Sequence, residues 1–459
     1  MKYRWMILLF FIPLISLPQQ RQIDSLKKVI PSLRDSARID CLNALSEAYI
    51  YLRPDTAKMY ALKAYDEALK NNYFRGMAKS FSNRGYIEAK ATSRYQLAES
   101  YGKKAIELYE KTDDKKGLAH AYVIWSFALM CQGFYDSSIK GDIKVIQLCQ
   151  KINYKVDEAR ATTMIGINYL SGGNYTKAFE YCMNGLKVAR QSKDSERITI
   201  SLTYVGQLYG LAGDFKTALA YYFESLGYAK GNILLQHPQI DIGNIYYLQK
   251  RYDSALFYYN QYIDTVKSIT TDTSVRYGYI MDALTRIGET FLAKKEYDTA
   301  LAYFKEPLYH SRKLNDQSQI MEILFDIAGS YYGKKNYKAA LSNAQGCLQL
   351  AEKFKAKQLL RDCHQLMFSI YDQFKQTDSA YFHYRQYMNM KDSVDLEAFN
   401  RKMDLYKAAS EDEKKQTQIK VLSGEKLNNQ QQLKLQQQQI KSEALWKNIL
   451  IAGILILLL

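Results

Sequence analysis

The feature that most constrains this chain is a repeat. Set against itself, the sequence returns to one pattern: a small residue, two others, an aromatic, a short polar turn, an aromatic, two others, an alanine, and an aromatic four residues later. The clearest copies are Gly166, Tyr169, Gly173, Tyr175, Ala178; Gly206, Tyr209, Gly213, Phe215, Ala218, Tyr222; and Gly243, Tyr246, Tyr252, Ala255, Tyr259. Two more run Gly288, Phe291, Tyr297, Ala300, Phe304 and Ala328, Tyr331, Tyr337, Ala340, while weaker copies put Ala57, Ala98, Ser138 and Ala380 at the alanine position. Successive alanine-type positions are spaced by 41, 40, 40, 40, 37, 45, 40 and 40 residues. A period this steady means that each copy is one supersecondary unit, unable to bury its apolar face alone and stable only when stacked on its neighbours.

The unit is a helical hairpin. The chain has only 6 prolines and 23 glycines in 459 residues, a shortage of breakers that favours helices joined by short turns. Gly166 and Ala178 allow two antiparallel helices to approach closely, and Tyr169 and Tyr175 fill the space around their turn. The 40 tyrosines follow from this, since one consensus aromatic per helix multiplies with the repeats.

These residues resemble the tetratricopeptide repeat, with its small residue and aromatic on each of two helices. The resemblance covers roughly residues 38 to 390 and implies an all-α fold, a tetratricopeptide-like α-solenoid of about nine helical hairpins. The family's usual repeat is 34 residues, so a period near 40 implies about one extra turn of helix per hairpin.

In such arrays the first helices line a concave face that binds extended peptides or partner helices. The resemblance therefore implies a peptide or protein ligand and groove positions at Asn83, Tyr86, His120, Phe127, Arg160, Gln207, His237, Asn244, Tyr247, Glu289 and Tyr332. The family's carboxylate clamp is not matched: Asn83 has the right type, but His120 and Ile124 stand where the next repeat should supply basic residues.

Both ends are apolar. Met1-Lys2-Tyr3-Arg4 precedes an apolar stretch from Trp5 to Pro18, too short for a span of about 20 residues but suited to a secretory signal. Residues 1–20 are thus expected to be a signal peptide, 21–37 a lead-in helix, and the array to lie outside the cytoplasm. Residues 449–459 carry no polar side chain, and Trp446 suits an interfacial belt. Residues 448–459 are expected to start a transmembrane helix that continues past Leu459, placing the array in the periplasm of a bacterial inner-membrane protein.

Between array and membrane, residues 391–447 are expected to form a helical coiled-coil stalk. Leu396, Phe399, Met403 and Tyr406 are spaced 3, 4 and 3, and Ile419, Leu433 and Ile440 lie multiples of seven apart, an imperfect seam that would pair two copies. A lone solvated helix is the alternative.

The order of signal, array, stalk and span resembles the sensor half of bacterial tetratricopeptide-repeat membrane histidine kinases. The same front end on a membrane-bound helix-turn-helix regulator, or a tail-anchored scaffold, are the other readings.

No catalytic residue, metal or cofactor is assigned. The histidines His120, His237, His310, His364 and His383 share no helix at ligand spacing, and the six cysteines contain no CxxC. Cys347 and Cys363 fall symmetrically about the turn near Phe354 to Ala356, so an exported chain could join them in a disulfide. The net charge of +16 is spread among acids, as in Lys103-Lys104 with Glu107 and Lys294-Lys295 with Glu296, so no nucleic-acid partner is expected for this segment.

Overall fold

The computed structural model describes residues 18–50, 52–90, 94–229, 238–269 and 273–458. Most of the expected signal peptide, residues 1–17, lies outside them, as do His237 and Leu459. A helix α1 (Pro18–Val29) and a 3₁₀ turn (Ile30–Ser32) lead into nine antiparallel pairs among the described residues. They are α2 (Asp35–Tyr49) with α3 (Pro54–Lys70), α4 (Phe74–Lys90) with α5 (Tyr95–Tyr109), and α6 (Lys115–Cys131) with α7 (Tyr135–Lys151). Next come α8 (Lys155–Ser171) with α9 (Tyr175–Ser192), α10 (Ser195–Ala212) with α11 (Phe215–Tyr228), and α12 (Pro238–Leu248) with α13 (Tyr252–Ile269). The last three are α14 (Thr273–Ala293) with α15 (Tyr297–Leu314), α16 (Gln317–Gly333) with α17 (Tyr337–Phe354), and α18 (Lys357–Gln373) with the start of α19 (Thr377–Leu458).

The motif explains the pairing. Ala57, Ala98, Ala178, Ala218, Ala255, Ala300 and Ala340 are fully buried, and Ser138 and Ala380 nearly so. The small residue of the first helix is the notch into which the residue sixteen positions later packs. A Cβ at Gly206, Gly243 or Gly288 would come within 2.8 Å of Tyr222, 2.4 Å of Tyr259 or 2.6 Å of Phe304. Tyr259 and Phe304 are almost wholly buried in those notches. At Gly166 the fit is tighter still, because a Cβ would lie 2.9 Å from the backbone nitrogen of Cys182.

The second aromatic layer recurs equally: Tyr169 and Tyr181, Tyr209 and Tyr221, Tyr246 and Tyr258, and Phe291 and Tyr303 pack with ring centroids 5.5, 5.6, 5.5 and 5.6 Å apart. Offset pairs at this separation contribute roughly 0.5–1.5 kcal/mol each beyond their buried area. Seven of the nine hairpin turns are closed by a residue with positive φ: Gly133, Gly173 and Gly213, then Lys250, Lys295, Lys335 and Lys375. Asn174, Asp214 and Asn336 cap the following helix by accepting from the amides of Lys177, Thr217 and Ala339.

The chain divides into two compact units, Met1–Leu405 and Tyr406–Leu459. In the first, every odd-ordered helix of a pair touches its counterpart in the next pair, from α2 on α4 through α16 on α18, so the first helices form one continuous inner layer. The residues expected to form the stalk, 391–447, lie within α19, a helix of 82 residues. Its seam residues Leu396, Phe399, Met403, Tyr406 and Leu433 are exposed. Backbone helix reaches Leu458, but no helix among the described residues is long and apolar enough to cross a membrane, so the expected span has no support here.

The last hairpin holds a pair of buried rings. His364 of α18 and His383 of α19 place their Nδ1 atoms 2.9 Å apart, and Tyr371 stacks on His383. One ring must donate and the other accept, so both cannot be protonated. Burial lowers the His364 pKa, opposed by Glu352; burial and then His364 bring His383 down to about 4.

Two outcomes are expected. Gly166→Ala should destabilise the array by about 1–3 kcal/mol through overpacking. Gly227→Ala, whose Cβ would meet open space, should be neutral or slightly stabilising; equal melting shifts would contradict the notch account. The histidines titrate lower in the fold than in the unfolded chain, so their contribution is intact above 6.5 and lost as pH falls toward 4. Protection factors in α18, taken relative to the intrinsic exchange rate at each pH, should fall over that range, with a loss on the order of 2–3 kcal/mol, and His383→Phe should flatten the response. Unchanged protection in the wild type would refute it.

Candidate functional site

The inner layer brings side chains from distant repeats together. Along α4 the stripe Lys79, Asn83, Tyr86 and Lys90 recurs at helical spacing and so shares one face of the helix. The Arg160 guanidinium of α8 lies 5.8 Å from the Tyr86 ring centroid, bridging two hairpins. Tyr279 of α14 lies near enough to Tyr86 for its pKa to be raised by it, although burial is the larger cause.

One part of this face is basic. Lys90 Nζ sits 3.7 Å over the Phe127 ring of α6. The lysine is solvent-accessible, yet the surrounding inner helices withdraw enough water to bring its pKa down to about 8, with Arg160 and Arg197 as further positive neighbours. His120 is held neutral by burial, and then by Lys79, Arg160 and Arg197. Arg197 of α10 is paired with Glu196, and Arg160 acts on the buried Asp142 carboxylate of α7.

Further along, the face is acidic. Asp241 of α12, Asp282 and Glu289 of α14, and Glu322 and Asp326 of α16 interact mutually, with Arg286 as the cation among them. Arg286 Nη1 donates to Glu289 at 3.1 Å, and its Nε lies 3.5 Å from Asp282. Burial and then Asp282 push Asp241 up to about 7; burial and then Glu289 raise Asp326 well above the usual carboxylate range. Among the described residues, neither the Asp241 nor the Asp326 carboxylate accepts a hydrogen bond or joins an ion pair.

The expected groove residues divide. Tyr86, His120, Phe127 and Arg160 gather at the basic part, and Tyr247 and Glu289 at the acidic part, where Tyr247 feels Glu289 and Asp326. Gln207 is exposed on α10, and Tyr332 packs on Tyr337 at a turn. Asn83 is structural. It is buried and donates to the Asn43 carbonyl at 2.8 Å, while Asn43 donates to Gly76, so the pair ties α2 to α4. Asn244 accepts from the Tyr259 hydroxyl at 2.8 Å and so is committed to its own hairpin. Sequence reasoning missed Lys90, Arg197, Asp241, Arg286 and Asp326. The signal for Lys90 lay in its spacing from Asn83 and Tyr86; nothing in the sequence foretold that the carboxylates converge.

Cys347 and Cys363 are both buried, with sulfurs 3.1 Å apart and no bond between them. Contact with Cys347, then burial, raises the Cys363 pKa, so the thiol is protonated at neutral pH. No cluster of three metal-ligating side chains occurs among the described residues.

No family model matches the sequence, and no curated protein does. Solved structures match in fold. The apo form of the quorum sensor NprR from B. thuringiensis aligns over 81% of this chain and 98% of its own, with TM-score 0.53 and 13% identity. A monomeric mutant of IFIT1, solved with m7Gppp-AAAA, aligns over 81% and 87%, with TM-score 0.51 and 13% identity. Aspartyl phosphate phosphatase F from Bacillus subtilis aligns over 78% and 95%, with TM-score 0.49 and 14% identity. Identities this low speak to the fold, and with the notch, stacked aromatics and inner layer they establish that this chain has a tetratricopeptide-type helical repeat architecture.

Proposed function

We propose that the array is the ligand-binding region of a signalling protein, taking an extended peptide or protein segment against its inner face. The observation that carries this is the convergence of Arg160, Tyr86, Lys90 and Phe127 from three different hairpins on one surface, a mixed aromatic and charged lining held by a rigid inner layer. The quorum sensor NprR shares the fold, which fits a sensing role. Binding is the activity assigned to this surface.

The finer placement follows from the chain's order. A basic start and apolar stretch precede the array, and Trp446 and the apolar run 449–459 follow the long helix. We place the array outside a bacterial inner membrane, two copies pairing along the exposed seam of α19, with a cytoplasmic histidine kinase as the output.

Three measurements bear on this. The full chain in detergent should retain members of a random short-peptide library, and Phe127→Ala with Arg160→Ala should lower retention about tenfold, near 1.4 kcal/mol, without loss of helix; undiminished retention would remove the groove from the reading. A reporter joined after Leu459, with about ten apolar residues added to complete a span, should be cytoplasmic, and periplasmic activity would overturn the placement. In exported protein, denaturing alkylation without reductant should spare Cys347 and Cys363 while labelling the other cysteines, since oxidising compartments close such pairs; full labelling would exclude the disulfide.

A further inference from the structure

We propose that α19 straps the array. Leaving the ninth hairpin, it reaches the α10–α11 turn of the fifth, and by holding those two places together it fixes the curvature of the hairpins between them. This holds whatever the inner face binds.

One side of the helix carries the contacts. Lys357 of α18 pairs with Glu397 at 3.0 Å and Arg361 with Asp395 at 2.7 Å, and Val394 beside these acids is buried. At about 3.6 residues per turn, Val394, Lys402 and Leu405 fall on one side of α19, the side that Asp395 and Glu397 flank. Lys402 lies at the α10–α11 turn, where a Cβ at Gly213 would stand 3.8 Å from its Cε. Leu405 is only 2% exposed. It stands about 12 Å along the axis beyond Glu397, past the level of Lys357, the first residue of α18. Leu396, Phe399 and Met403, about a third of a turn round, are exposed. The covered side of α19 thus extends beyond its own hairpin, and the part of the array that Lys402 meets there is the turn of the fifth hairpin. Gly213, Lys402 and Leu405 all belong to the first compact unit.

The chemistry of that turn suits a lysine. Gly213 ends α10 with φ 89°, and the amides of Gly213 and Asp214 bond back to the Gly210 and Tyr209 carbonyls at 3.0 and 2.9 Å. The turn is therefore the carbonyl end of α10, where the helix dipole favours a cation. Glycine also presents no side chain to hold α19 away. In a stack, each hairpin contacts only its neighbours, and the curvature between two distant hairpins is a sum of small rotations that nothing else limits. A contact from the ninth hairpin to the fifth closes that sum into a loop. Bending any hairpin between them then requires α19 to slip or part from the turn, so the helices from α12 to α17 behave as one cooperative unit.

The test uses the full chain in detergent and reads hydrogen exchange as protection relative to the intrinsic rate. Leu405→Ala, and separately Lys402→Glu, which sets an anion at the carbonyl end of α10, should each lower protection across residues 210–217 by about tenfold. Protection in α12, α14 and α16 should fall with it, while helical content stays unchanged. Met403→Ala, on the exposed side of the same stretch of α19, should leave both as in the wild type. In the unaltered chain, a short amine-reactive cross-linker should join Lys402 to Lys216, which is exposed in the first turn of α11. With isotopically labelled and unlabelled copies mixed, that link should form within single chains. Links formed only between copies would give the contact to a second chain's helix and overturn the strap. Protection of the turn that ignores Leu405→Ala and Lys402→Glu, or that falls equally with Met403→Ala, would overturn it as well.

Discussion

The close approach of two helices at a glycine or alanine is the contact on which everything else depends. At Gly206, Gly243 and Gly288 the second helix supplies an aromatic sixteen residues on and the ring fills the notch, whereas Gly166 faces Cys182. Where the first helix has Ala328, the corresponding residue is Ala344, and both are fully buried. The residue that meets the notch thus varies from one hairpin to the next, while the close contact itself recurs. Because packing at protein density does not tolerate an extra methyl group at such a point, the notch fixes the hairpin geometry, and the hairpin geometry fixes the stack.

A stack built this way gains its binding surface as a by-product. The apolar faces of both helices are consumed by neighbours, so the first helices can present polar residues inward without cost to the core. Lys79, Tyr86 and Lys90 occupy such positions while Gly76, Ser80 and Gly85 on the same helix are buried. The array can therefore change its ligand chemistry by substitution along one stripe per repeat, leaving the notch and the stacked aromatics untouched. Asn83 shows the limit of that freedom: its side chain ties two inner helices together, so one stripe position is structural.

Much of the fold was legible for the same reason that it is stable. The nine alanine-type positions and the Gly or Ala notches are local in sequence, repeat at nearly constant spacing, and are buried as expected. The positive-φ lysines at Lys250, Lys295, Lys335 and Lys375 replace the turn glycines and hide the turn from a search for glycine alone. The site was less legible. Which residues meet across the inner face depends on how far the stack curves, and curvature is a sum of small rotations that no single repeat records. Arg160 reaching Tyr86, and Asp241, Glu289 and Asp326 crowding one another, are products of that sum. Likewise His364 and His383 lie 19 residues apart on separate helices, a spacing with no meaning until the last hairpin closes.

Coupling of ligand to output demands more than affinity. A ligand shifts an equilibrium only by its differential affinity for two arrangements, typically about 1–3 kcal/mol. A ligand that bound one curvature of the inner layer better than another would supply that difference. The first helices are in contact throughout the layer, from α2 to α18, and α18 is paired with the first turns of α19 through Lys357 with Glu397, Arg361 with Asp395 and the two histidines. A change of curvature thus reaches the last hairpin as a change in how α18 holds α19. The joint is made of exposed ion pairs, individually weak, around one buried ring pair.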